Sequence, residues 1–82
     1  MSEELNLGGL VEYIARALVR DQEAISVVEE NTRSGGTIVR LHVAPGDMGH
    51  VIGKDGRIAN AMRTLLRVGG TQTHRRITLD ID

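Results

Sequence analysis

Apolar positions recur along this 82-residue chain at two different periods, and the switches between them mark out six elements. Across residues 7–20, "LGGLVEYIARALVR", Leu10, Val11, Ile14, Ala17 and Leu18 share one face at helical spacing, with Glu12 and Arg16 paired at i,i+4 on the other. Residues 24–33 bring the β-branched Ile25, Val27 and Val28. "TIVRLHV" (37–43) then alternates, with Val39, Leu41 and Val43 on one face and Ile38, Arg40 and His42 on the other. With Gly35-Gly36 between them, these two runs predict an antiparallel hairpin. Pro45 suits the first turn of a new helix with the apolar stripe Met48, Val51 and Ile52. After the tetrad Gly53-Lys54-Asp55-Gly56, the residues Ile58, Met62, Leu65 and Leu66 predict a longer helix that Gly69-Gly70 stop. The final run, "RRITLDID", alternates again, with Ile77, Leu79 and Ile81 inward.

The order αββααβ buries its apolar faces most simply as an α+β two-layer sandwich, three strands covered on one face by three helices. The last strand returns after a helical crossover, which predicts a mixed sheet. Residues 1–82 carry no repeat, low-complexity tract or linker and read as one domain.

Composition removes several function classes. No cysteine is present, which excludes disulfide frameworks and thiolate metal sites. The acidic start is unlike a signal peptide and no apolar run reaches membrane-spanning length, so a soluble cytoplasmic protein with no membrane partner is expected. The net charge of −1 conceals an asymmetry. Residues 1–32 hold seven acidic side chains against two basic, whereas residues 33–82 hold eight basic against four acidic. A polyanion therefore has a basic region to meet, although solvated surface accounts for the same charges.

The tetrad "GKDG" breaks an otherwise helical pattern at a cost, and three explanations compete. A nucleotide-binding P-loop needs G-x-x-x-x-G-K-[ST] after a strand; here Gly49 is one residue too close to Gly53, and Asp55 stands where a hydroxyl is required. A plain helix–turn–helix corner accounts for Gly53 as a left-handed terminator and Asp55 as a helix cap, but leaves Gly56 and Lys54 without a role. A phosphate clamp accounts for more. A helix starting near Gly56 presents unpaired N–H groups and a positive dipole end, flanking glycines admit an anion, and Lys54 and Arg57 add charge. Against it, a capping Asp55 competes for the same donors.

The string "VIGKDGRIANAMRTLL", Val51 to Leu66, resembles the signature of the KH RNA-binding domain, whose G-x-x-G loop clamps nucleic acid backbone. With the element order, the chain is similar to the small stand-alone bacterial KH proteins of the KhpA type, which have the prokaryotic, type II fold. The resemblance implies that Gly53, Lys54, Asp55 and Gly56 grip single-stranded RNA, with Arg57 beside them. It implies an apolar groove that Val51, Ile52 and Ile58 help form, some of them doubling as core, faced by the edge of the last strand near Arg76 and Ile77. It further implies an RNA chaperone or post-transcriptional regulator, without cofactor, acting as a homodimer or with a larger KH protein of the KhpB (Jag, EloR) kind. The alternative is a protein–protein interaction module that keeps the fold and binds RNA incidentally.

The chain's one aromatic residue, Tyr13, lies in the first helix, so aromatic base stacking is not expected at the groove. His42, His50 and His74 fall on three separate elements, without metal or relay spacing. They read as surface histidines, and no catalytic constellation emerges. Arg63 and Arg67 extend a basic face or are merely solvated.

Overall fold

The strict alternation of residues 37–43 places the centre of the molecule. In the computed structural model, which describes residues 6–72 and 74–82, strand β2 (Thr37–His42) lies between β1 (Ser26–Asn31) and β3 (Ile77–Ile81). β1 pairs antiparallel to β2 and β3 parallel to it, giving the mixed sheet expected from a helical crossover. Val39, Leu41 and Val43 are fully buried on one face, Leu79 joins them, and Ile77 and Ile81 pack at the margin. Helices α1 (Leu7–Leu18), α2 (Met48–Ile52) and α3 (Arg57–Gln72) cover that face. On the opposite face, Arg40 bridges Glu30 (3.2 Å) and Asp80 (3.1 Å), and His42 meets Asp82 at 3.2 Å.

Helix α1 starts where the Asn6 side chain accepts the Gly9 N–H at 2.9 Å, which satisfies one of the unpaired donors of a first turn. Its buried stripe is Leu7, Val11 and Ala15, so Ala15 takes the inward place expected of Ala17, which is exposed. Residues 22–24 form a 3₁₀ turn, and β1 accordingly begins at Ser26 rather than at residue 24.

Helix α3 differs from expectation in two ways. Its buried face is Ala59, Met62, Leu66, Gly69 and Gly70, and Leu65 is 47% exposed. The helix also runs through Gly69-Gly70 to Gln72. The two glycines serve packing instead of termination: a Cβ on Gly69 would lie 2.8 Å from Leu7 Cδ2, and one on Gly70 would collide with the Arg75 carbonyl. Termination falls to His74, held at φ 59°. Its N–H bonds Thr71 O (3.3 Å) and the Arg75 N–H bonds Gly70 O (2.7 Å), the paired bonds of a Schellman ending.

One polar tie fixes the helical layer. Asp47, 4% exposed at the head of α2, accepts the N–H groups of Asp21 (3.0 Å) and Arg20 (3.1 Å). Those bonds, outweighing burial, hold its carboxyl below the usual range.

Candidate nucleic-acid interface

The tetrad sits on a 3₁₀ turn, Lys54–Gly56, between α2 and α3. Gly53 has φ 79° and ψ 171°, a region open essentially only to glycine. Ile58 closes the same space from below, since a Cβ on Gly53 would lie 2.7 Å from Ile58 Cγ1. Gly56 has φ 75°, which supplies the conformational need that a simple corner leaves unexplained. A Cβ there would meet nothing closer than Asn60 Nδ2 at 3.5 Å, so the approach to its backbone is open.

Asp55 does not cap α3. It occupies the left-handed region itself (φ 57°, ψ 23°), and its carboxylate takes no hydrogen bond among the described residues. The available donors also differ from those expected. Gly56 N–H bonds Gly53 O at 3.1 Å and Arg57 N–H bonds Lys54 O, so both are engaged within the turn. The side chains of Lys54 and Arg57 stand exposed at the loop and the start of α3.

A groove of about 820 Å³ runs beside α3 along the β3 edge. Asn60 lines one end, adjacent to Gly56, and Gly70, Thr71 and His74 line the other. Arg63, Arg67, Arg75 and Arg76 project along it, and no carboxylate is among its lining residues. None of the four arginines forms an ion pair among the described residues, whereas Arg16 and Arg40 both do, on other faces. Arg75 is oriented by a neutral acceptor, Asn31 Oδ1 at 2.7 Å, and keeps its charge.

The groove's far wall follows from the strand ladder. Asp82 donates to Leu41 O (2.8 Å) and accepts from Val43 N (3.0 Å), while Arg76 O accepts from Thr37 N (2.8 Å). Alternate residues of a parallel strand face its partner, so the N–H and C=O groups of Ile77, Leu79 and Ile81 point to the open edge. On the helix wall, Thr64 and Thr71 donate their hydroxyls to the carbonyls of Asn60 and Arg67, both at 3.0 Å.

Of the sequence-predicted site residues, Gly53, Lys54, Asp55, Gly56 and Arg57 are contiguous on the loop, with half-buried Ile52 and Ile58 beneath. Val51 is wholly buried in the core. Arg76 and Ile77 do line the groove, but at its distal end, near Gly70 and so about 20 Å along α3 from the loop. Sequence reasoning missed Asn60, Thr64 and His74, and left Arg63 and Arg67 undecided. Spacing contained part of the signal: Asn60, Thr64 and Arg67, together with Arg63, fall on one face of a helix at i,i+3 and i,i+4. Tyr13, 77% exposed on α1, is not among the groove residues.

This arrangement, an exposed glycine-flanked lysine between two helices with an arginine-lined groove leading from it, invites comparison with known families. Residues 9–81 match the family described as KhpA/KhpB, KH domain. The chain belongs to the KhpA/KhpB KH-domain family. Three relatives, each called RNA-binding protein KhpA, cover nearly its whole length. The protein of Caldanaerobacter subterraneus subsp. tengcongensis is 44% identical over 75 residues, 92% of this chain and 99% of its own. That of Borreliella burgdorferi is 40% identical over 82 residues (99% and 98%), and that of Treponema pallidum 46% over 72 residues (88% and 89%). No solved structure matches the chain. The αββααβ order and mixed sheet are those of a KH domain, and the KhpA/KhpB family is one of binding modules, not enzymes. No described helix is long and apolar enough to cross a membrane.

Proposed function

We propose that this KhpA-type chain binds single-stranded RNA, with the GKDG loop holding a phosphate and the α3–β3 groove receiving the following nucleotides. The observation that carries this reading is the groove's charge: four arginines without ion pairs among the described residues and no carboxylate among its lining residues, leading to a loop that exposes Lys54. Surface cations left unpaired along one concave track favour a polyanion over a neutral partner. Gly53 admits the turn over Ile58, Gly56 leaves the loop backbone approachable, Lys54 and Arg57 supply charge, and Ile52 and Ile58 support the loop from below. Bases meet aliphatic and backbone groups rather than aromatic rings, so sequence selectivity is low and affinity modest.

The wider reading is an RNA chaperone or post-transcriptional regulator in the cytoplasm. Its partner is a second copy or a larger KH protein of the KhpB kind, because linked grooves raise avidity. A role in protein contact draws support from Leu65 and Val68, 47% and 53% exposed one turn apart on α3.

The deciding experiment measures single-stranded RNA affinity across salt for the wild type and Lys54→Asp, with circular dichroism to verify folding. The wild type should show a steep loss of affinity with salt, and the variant should bind at least tenfold more weakly. Equal affinity in two folded proteins would leave the interaction module as the function.

A further inference from the structure

The groove does not end at β3. A second concavity of about 330 Å³ lies between the β1–β2 turn and the segment after α3, lined by Ser34, Gly35, Gly36, His74 and Arg76. His74 and Arg76 line both hollows, so the two are continuous across those side chains. We infer that the RNA track extends past Arg76 onto the β1–β2 turn, making Ser34–Gly36 a second, previously unassigned phosphate-binding element. This inference rests on the RNA-binding reading of the groove and adds a site to it.

The turn is held in a fixed shape with an open outer face. Thr32 holds it through three bonds: its N–H donates to Gly36 O (2.8 Å), its carbonyl accepts Gly35 N–H (3.1 Å), and its Oγ1 accepts Gly36 N–H (2.9 Å). Gly36 is buried against the start of β3, where a Cβ would lie 3.0 Å from Arg76 O, so turn and strand are fixed together. Gly35, at φ 90°, has open space where a side chain would stand. Ser34 Oγ lies 3.1 Å from Thr32 Oγ1 at the rim. Arg33, exposed next to it, has no ion pair among the described residues. The second hollow, like the first, is lined by no carboxylate. A strand that already satisfies Arg75 and Arg76 thus meets one further cation, Arg33, the Ser34 hydroxyl and the open face of Gly35.

The test compares a tetranucleotide, about the length a KH loop clamps, with a dodecanucleotide of the same composition. Both are titrated by fluorescence anisotropy against the wild type, Ser34→Glu, Ser34→Lys and Lys54→Asp, each checked by thermal melting. The inference expects the dodecanucleotide to bind the wild type several-fold more tightly than statistical placement allows. Ser34→Glu should remove that gain and Ser34→Lys increase it, with tetranucleotide affinity unchanged in both. Ser34 variants that leave dodecanucleotide affinity untouched would overturn it, as would equal effects on both lengths. Lys54→Asp is read on the tetranucleotide: no loss there sinks the loop clamp, and that outcome is separate from any result at Ser34.

Discussion

Asp55 concentrates the conflict within the loop. It stands in the left-handed region and its carboxylate takes no hydrogen bond among the described residues, so it does not cap α3, yet its charge opposes a phosphate. Asparagine tolerates this backbone and has nearly the same shape. Asp55→Asn should therefore melt within about 0.5 kcal/mol of the wild type, and bind RNA a few-fold more tightly in anisotropy titrations. Asp47 has the opposite character, a carboxylate used entirely for structure. Its pKa is depressed, so its contribution is fully present above the unfolded value, about 3.9, and is lost as pH falls through the lower folded value. Asp47→Asn should lower the melting temperature at neutral pH, and the gap to the wild type should close below about pH 4. A gap of constant size across that range would contradict the assignment.

Among the elements, α3 does most of the positioning, and its C-terminal turn shows how packing overrides propensity. Glycine is a poor helix former, yet Gly69 and Gly70 lie within the helix because Leu7 and the Arg75 backbone occupy the space of their side chains. Replacing Gly70 by alanine improves helix propensity by about 1 kcal/mol. It also forces a methyl against a carbonyl that the Gly70–Arg75 hydrogen bond holds in place. Overpacking of that kind costs about 1–3 kcal/mol, so Gly70→Ala should have a lower urea midpoint than the wild type. RNA affinity should fall with it, since Arg75 and Arg76 are placed by the same turn. The sequence signal for helix termination was read one turn early, because a glycine pair marks a stop and a close approach equally well. His74, which performs the termination, is not a residue that composition flags.

For the whole molecule, charge segregation matters more than net charge. Arg16, Arg40 and His42 have carboxylate partners, whereas Arg63, Arg67 and Arg76 stand without them among the described residues along one track. A protein of net charge −1 can thus present a cationic groove to a polyanion. If Arg67 contacts a phosphate, Arg67→Gln should weaken binding to all sequences alike and reduce the salt slope by about one. The same substitution should leave thermal stability nearly unchanged, because the exposed guanidinium has no partner among the described residues to lose. A sequence-dependent loss would instead assign Arg67 to base contact.

The sequence by itself determined the elements, the mixed sheet and the loop, because periodicity, turn residues and the GKDG string are local properties of neighbouring residues. Val39, Leu41, Val43 and Leu79 were identifiable as core for the same reason. Only the tertiary structure decided that Asp47 ties the α1 exit to the α2 start, and which arginines remain unpaired among the described residues. Those outcomes depend on residues far apart in the chain meeting through the fold, and no local period records such meetings. The Lys54-Asp55 loop was legible before the fold was known, as a helix break with a cation in it. Its uncapping aspartate and the groove that leads from it were decided only by the folded chain, in which α3 packs against the returning strand.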